Sequence, residues 1–292
     1  MFEGFETRKI DTGEATIHVR VGGAGSAVVL LHGYPQSGAC WHKLAPALAE
    51  NYRVIIPDLR GYGDSVGPAP DADNTLYSKR SMASDIASVL DALSEEKAMI
   101  VGHDRGGRVA YRFALDHPDR TRKLAVLDMI PTSETWERLA AVEAIAAYHW
   151  PFLAQGNGLP ERMIGHDPDD YLKHTLHSWI RVEGCFTEAA MAEYLRCFAK
   201  PSVIAACCAD YRAGATVDWQ IDRADVEAGN KIACPLLSLW GQRPGREKST
   251  SLEVWSAWCS GPVSGGPIDS GHFLAEENPT DTLAALSSFL AD

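Results

Sequence analysis

The chain has no apolar run long enough to span a bilayer, and its first residues, Met1-Phe-Glu-Gly-Phe-Glu-Thr-Arg-Lys, show no basic region leading into an apolar one. Both absences predict a cytoplasmic protein without a membrane partner. Basic charge is scarce: 27 Lys and Arg stand against 39 Asp and Glu, a formal net charge of -12. That deficit excludes nucleic acid and anionic membrane surfaces as natural partners, and it makes any arginine cluster conspicuous. Seven cysteines, among them adjacent Cys207 and Cys208, form neither a C-x-x-C pair nor a zinc-like Cys/His spacing. They read as buried reduced thiols, and no metal site is expected. Internal repeats and low-complexity tracts are missing too.

What is present is enough apolar residue, 46% of 292, for a large core. Strand and helix signals alternate as in a parallel sheet covered on both faces. Ala15–Val21 alternates as a half-buried strand, and Ala27–Leu31 is wholly apolar. A helix is expected from about Trp41 to Glu50, a strand at Arg53–Ile56, a helix at Met82–Leu93, and a further strand at Lys123–Asp128. After Pro131 the rhythm becomes helical, rich in alanine and aromatics, until strand character returns at Pro235–Trp240. Helices near Leu252–Trp258 and Asp281–Leu290 complete the pattern. The expected fold class is α/β, a mostly parallel central sheet flanked by helices, with core segments 1–132 and 230–292 and an inserted helical cap at 133–229.

The segment Met99-Ile-Val-Gly-His-Asp-Arg-Gly-Gly-Arg-Val-Ala-Tyr111 reads as a strand, a glycine-flanked acidic turn and the start of a helix. That is the layout of a nucleophile elbow, with Asp104 in the place usually held by serine. A serine that displaced a leaving group from saturated carbon would end as a stable ether, whereas an aspartate becomes an ester that water cleaves. Asp104 is ionised at neutral pH and needs no base to attack. The base is needed for the second step, and His272, in Ile268-Asp-Ser-Gly-His-Phe273, follows the last strand where such a histidine belongs. Its acidic partner is expected to be Asp128, at the end of the strand after the elbow helix, in preference to Glu247; the plainer reading makes Asp128 a cap on the turn into Ile130-Pro131. Backbone amides of Tyr34 and Arg105 are the candidate oxyanion donors.

Arg105 and Arg108 flank the elbow, and two guanidinium forks beside a nucleophilic carboxylate suit a small anionic substrate that the carboxylate alone would repel. The alternative pairs them with acids such as Asp85 or Asp128. In the cap, Tyr148-His-Trp-Pro-Phe152 and Asp210-Tyr-Arg-Ala-Gly214 place His149, Trp150 and Tyr211 either as N–H and O–H donors to a leaving group or as ordinary packing.

These residues resemble the haloacetate dehalogenases of the α/β-hydrolase fold. The likeness rests on His-Gly-Tyr-Pro-Gln at 32–36, Gly-His-Asp-Arg-Gly-Gly-Arg at 102–108, Leu-Asp-Met-Ile-Pro-Thr at 127–132, His149-Trp150, Asp-Tyr-Arg-Ala-Gly at 210–214, Val-Glu-Ala-Gly-Asn-Lys at 226–231 and Ser-Gly-His-Phe at 270–273. Gly-His-Asp alone is shared with epoxide hydrolases and haloalkane dehalogenases; the combination with both arginines and His-Trp is more specific. The resemblance implies Asp104 as nucleophile, His272 as base, Asp128 as its partner, and Arg105 and Arg108 as the substrate-carboxylate site. It further implies a halide pocket of His149, Trp150 and Tyr211, Trp179 along the access route, no cofactor, and a homodimer. Tyr34 departs from the family's phenylalanine and adds a hydroxyl near the pocket, while Gln242-Arg-Pro-Gly-Arg-Glu-Lys-Ser249 gives no guidance.

The expected reaction is hydrolysis of a short 2-haloacid, haloacetate plus water giving glycolate and halide. An epoxide hydrolase using the same aspartate and histidine, with Tyr148 and Tyr211 protonating the ring, is the rival within enzymes. A noncatalytic acid-binding protein is the rival outside them, and it would have no need of a nucleophile, a base and an acid.

Overall fold

The computed structural model describes residues 1–242 and 250–291. Eight strands form one sheet: β1 (Glu6–Asp11), β2 (Thr16–Gly22), β3 (Ala27–Leu31), β4 (Arg53–Pro57), β5 (Ala98–His103), β6 (Thr121–Leu127), β7 (Leu236–Gly241) and β8 (Val263–Ile268). Their order across the sheet is β1-β2-β4-β3-β5-β6-β7-β8. The β1/β2 and β2/β4 pairs are antiparallel, and every pair from β4 to β8 is parallel. Helices cover both faces of the parallel part, which is why β3 and β5 are buried along their whole length and read as unbroken apolar runs.

Between β6 and β7 the described residues form helices only, from Thr132–Glu137 to Val217–Ala228. Their inward side chains, including Trp150, Leu172, Leu176, Tyr194, Phe198 and Ile204, join the same apolar cluster as the sheet residues. This continuity holds the helical layer tightly over the carboxyl ends of the strands. None of the described helices is long and apolar enough to cross a membrane. All seven cysteines are free thiols, six of them buried.

One expectation changes, and one strand is added. The single helix expected from Trp41 to Glu50 is instead a 3-10 turn at Gly38–Trp41 followed by a short helix at Ala45–Leu48. Pro46 lacks an N–H and its ring clashes with the carbonyl one turn back, so it starts a new helix and cannot sit inside one. β1 was not foreseen: it is exposed except at Ile10 and presents no apolar pattern, being held as an edge by pairing with β2.

Candidate active site

The elbow is built by close backbone approach. Asp104 sits at φ 48° and ψ -116°, between the end of β5 and the helix Arg105–Asp116. This strained geometry is held because the chain around it cannot relax. A methyl group at Gly106 would lie 2.3 Å from the His32 carbonyl oxygen, and one at Gly33 would lie 2.5 Å from Asp104 Cβ. Glycine at both places lets the early loop press against the turn, and the Tyr34 amide then donates to Asp104 Oδ1 at 2.9 Å. Arg105 opens the helix, so its N–H is among those without an intrahelical acceptor.

Asp128 follows β6 with φ 51°, and its Oδ2 lies 2.6 Å from His272 Nδ1. Its other oxygen accepts from the Gly241 amide at 3.0 Å. The acid is thus fixed from two directions, and the plain turn-cap reading of Asp128 does not describe these contacts. Glu247, the alternative acid, lies outside the described residues. His272 turns Nε2 toward Asp104, 3.9 Å from Oδ2, and that nitrogen is buried without a hydrogen-bond partner. The separation leaves the imidazole beside the carboxylate but not bonded to it. Burial pushes the Asp104 pKa up, yet the fields of His272, His103, Arg108 and Arg105 outweigh burial and hold it below the ordinary carboxylate value.

The His272 loop has a support that the motifs did not reveal. Glu277 accepts four backbone N–H groups: Gly271 at 2.8 Å, Phe273 at 2.9 Å, Arg181 at 2.7 Å and Val182 at 3.0 Å. One carboxylate therefore grips both sides of His272 and the segment leaving the helix Pro168–Trp179. The His272 amide donates to the Trp179 carbonyl at 3.1 Å, and the Trp179 ring stands 5.3 Å from the imidazole. His103 contributes a bond from Nε2 to the His272 carbonyl at 2.8 Å; burial lowers its pKa to about 4, so at neutral pH it is the uncharged donor.

The two arginines differ. Arg105 is fully buried, with Nε on Asp210 Oδ2 at 3.1 Å, Nη2 on the Asp210 carbonyl at 2.8 Å, and a close Nη2 contact to Oδ1. Asp210 is also held by Lys79 and by the Tyr62 hydroxyl at 2.8 Å. Arg105 does have an acidic partner, but it is Asp210 and neither of the acids considered from sequence: Asp85 instead pairs with Arg60. The clue was one residue before Tyr211 in a motif already singled out. Nη1 of Arg105 remains buried and unbonded, with the guanidinium 4.2 Å from the Tyr211 ring centre. Arg108 has no carboxylate within ion-pair distance among the described residues. It donates to the Ile130 carbonyl at 2.8 Å and, at longer range, to Thr132 and Thr135, stacks 4.5 Å from the Trp150 ring, and leaves Nε unbonded. Burial and the neighbouring Arg105 lower its pKa, the mark of a cation that the fold holds without neutralising.

Above the nucleophile lie the cap side chains. Tyr211 is ringed by Tyr34 at 5.2 Å, Trp150 at 5.6 Å and His149 at 5.8 Å, and His149 stands 4.5 Å from Trp179. Tyr211 Oη and His149 Nδ1 are buried and unbonded. Burial lowers the His149 pKa to about 3, so the ring is neutral, and burial with the nearby Asp104 raises that of Tyr211 well above the ordinary phenol value. The Tyr34 hydroxyl, expected near the pocket, donates to Tyr171 at 3.3 Å and links the early loop to the cap. Five buried polar atoms without partners, Arg105 Nη1, Arg108 Nε, His149 Nδ1, Tyr211 Oη and His272 Nε2, belong to residues near enough to Asp104 to feel or shift its charge. Such atoms are costly in a closed interior, and their concentration at one place marks a site built for a polar occupant.

A parallel sheet with an acidic elbow, a histidine loop after its last parallel strand and a helical lid defines an enzyme of the α/β-hydrolase class. The profile of the alpha/beta hydrolase fold family matches residues 26–279, and the chain belongs to that family. It is 41% identical to a fluoroacetate dehalogenase from Burkholderia sp. over the whole of this chain and 96% of that protein. A soluble epoxide hydrolase from Corynebacterium sp. (strain C12) is 33% identical over 94% of this chain and 93% of that one. Among solved structures, a Nostoc sp. PCC 7120 protein described as an alpha/beta hydrolase superposes with a TM-score of 0.96 and 47% identity, covering 100% of this chain and 99% of the other.

Proposed function

We propose that this protein hydrolyses the carbon–halogen bond of a short 2-haloacid, haloacetate plus water giving glycolate, halide and a proton. The observation that carries the reading is the set of unbonded donors around Asp104, with Arg108 unneutralised among them. Arg108 Nε and Arg105 Nη1 receive the substrate carboxylate, offsetting its repulsion from Asp104. Asp104 attacks the adjacent carbon as the halide leaves toward His149, Trp150 and Tyr211, whose N–H and O–H groups replace the water that a small halide gives up. His272, oriented by Asp128, then takes a proton from water, which adds to the ester carbonyl of Asp104. The Tyr34 and Arg105 amides steady the oxyanion. Collapse expels the product oxygen, which recovers the proton from His272. The similarity to fluoroacetate dehalogenase over the full chain supports the same substrate class.

A neutral epoxide is the second reading, and the similarity to epoxide hydrolase speaks for it. Against it, both arginines would be left facing an uncharged ligand. Of the two tyrosines cast as ring protonators, Tyr148 is 40% exposed and packs on His149 and Phe152, so only Tyr211 offers a buried free hydroxyl.

In the His272→Asn variant exposed to chloroacetate, chloride release should stop after one equivalent, and peptide mass spectrometry should find a carboxymethyl ester on Asp104. Modification at another residue, or continued turnover, would overturn the scheme. Asp104→Asn should lose activity by at least about 10⁴-fold, as expected when a nucleophile is removed.

A further inference from the structure

A halide needs only hydrogen bonds to leave, yet one donor in the pocket is able to give its proton away. Neither guanidinium does this, because arginine stays charged in proteins. The Tyr211 hydroxyl is buried and unbonded, with the Arg105 guanidinium 4.2 Å from its ring centre; Arg105 offsets part of the burial and Asp104 charge that hold the proton on, and the Asp104 charge is gone once the ester forms. His149 Nδ1 lies on the same wall, its ring 5.8 Å from that of Tyr211, and is a second hydrogen-bond donor in the tautomer protonated there. A nucleophile, a hydroxyl whose charge state feels that nucleophile, and guanidinium groups close to both are the groups required to open a strained cyclic ether that also bears a carboxylate.

We propose that the site also hydrolyses short 2,3-epoxy acids, with glycidate (oxirane-2-carboxylate) as the smallest, to the corresponding dihydroxy acids. The inference rests on the reading of Arg105 and Arg108 as carboxylate holders, and it removes the objection to a neutral epoxide, since here the charge is on the substrate. Asp104 attacks the carbon next to the carboxylate, the bond from that carbon to the ring oxygen breaks, and the oxygen takes the proton of Tyr211. Water then adds to the ester carbonyl while His272 accepts its proton. The tetrahedral adduct collapses, and the departing alkoxide recovers that proton as the second hydroxyl of the diol. The carboxyl group regenerated on Asp104 returns its proton to the Tyr211 phenolate. One epoxide and one water are consumed, one diol is formed, and nothing is oxidised or reduced.

The test compares glycidate, chloroacetate and the neutral analogue glycidol with the whole enzyme in water enriched in heavy oxygen. Glycidate should yield glycerate, and in a single turnover the label should enter Asp104 while the new hydroxyl of the product stays unlabelled; glycidol should be inert. Tyr211→Phe should cost about 10²-fold or more on glycidate, where a proton must move, and under about 10-fold on chloroacetate, where one hydrogen bond is lost. Chloroacetate turnover without glycidate turnover overturns the proposal and leaves the dehalogenase reading standing. Glycidate turnover without chloroacetate turnover does the reverse. Label in the product in place of Asp104, or equal losses on both substrates in Tyr211→Phe, overturns the proposal as well.

Discussion

The two walls of the site obey opposite rules. On the sheet side the groups that hold the histidine are bonded: Asp128 to His272 and Gly241, Glu277 to four amides, His103 to the histidine loop. On the cap side the donors of Tyr211 and His149 point at nothing, and the arginines at the seam each keep one free nitrogen. The difference separates positioning from binding. Groups that must hold a geometry are satisfied by the protein itself, while groups that must meet a transient anion are kept unsatisfied, at a cost of roughly 1–3 kcal/mol per buried atom.

The strongest way to break the contrast is to remove the counter-charge at the seam. Asp210→Ala would leave Arg105 and Lys79 buried and unpaired, and should destabilise the fold by about 3–5 kcal/mol, read as a drop in the urea midpoint. An unchanged midpoint would show that the cap does not depend on this ion cluster.

A second test acts where the histidine loop meets the cap. Glu276, buried beside the histidine loop, accepts from Gln36 and from Tyr194 at 3.0 Å, and burial raises its pKa from 4.5 to about 8. The folded chain then keeps a proton that the unfolded chain gives up, so stability is fully present at low pH and declines as pH rises from about 4.5 through about 8. At roughly 1.4 kcal/mol per unit the total is of the order of a few kcal/mol. Glu276→Gln should flatten this decline, measured as the melting temperature across that range, and a variant with the same slope as the parent would remove Glu276 as its source.

Arg108→Gln sharpens the binding side. Losing a charged donor to the substrate carboxylate is worth about 1.5–3 kcal/mol, so KM for chloroacetate should rise by about 10- to 150-fold, with a smaller change in kcat. Chloroacetamide, lacking the negative charge, should show no such rise.

The smallest effect is expected from Glu277→Gln. Whichever way the amide turns, at least one backbone N–H faces an NH₂ group, at about 1–3 kcal/mol for the lost acceptor. Because the disturbed loop carries His272, ester hydrolysis should slow more than ester formation, giving a halide burst that the parent enzyme lacks.

Much of this was legible in the chain itself. Gly102 through Arg108 carries the elbow because only glycine tolerates the backbone crowding there, and the apolar runs of β3 and β5 announce a sheet buried on both faces. β1 carries no signal because an exposed edge strand has no apolar period, and the apolar spacing from Trp41 to Glu50 hides the break that Pro46 imposes. Asp210 and Glu277 were unreadable in role for a different reason. Each works through partners far away in sequence: Asp210 through Lys79 and Arg105, Glu277 through Arg181 and Val182.

The local order of residue types therefore determined the parallel sheet, the acidic elbow and the residues with the chemistry to act. Only the tertiary structure decided which arginine is neutralised, which donors are left open and what steadies the histidine. Backbone turns are set by steric limits between near neighbours, whereas the state of a buried charge depends on every group that folding brings within a few ångströms of it.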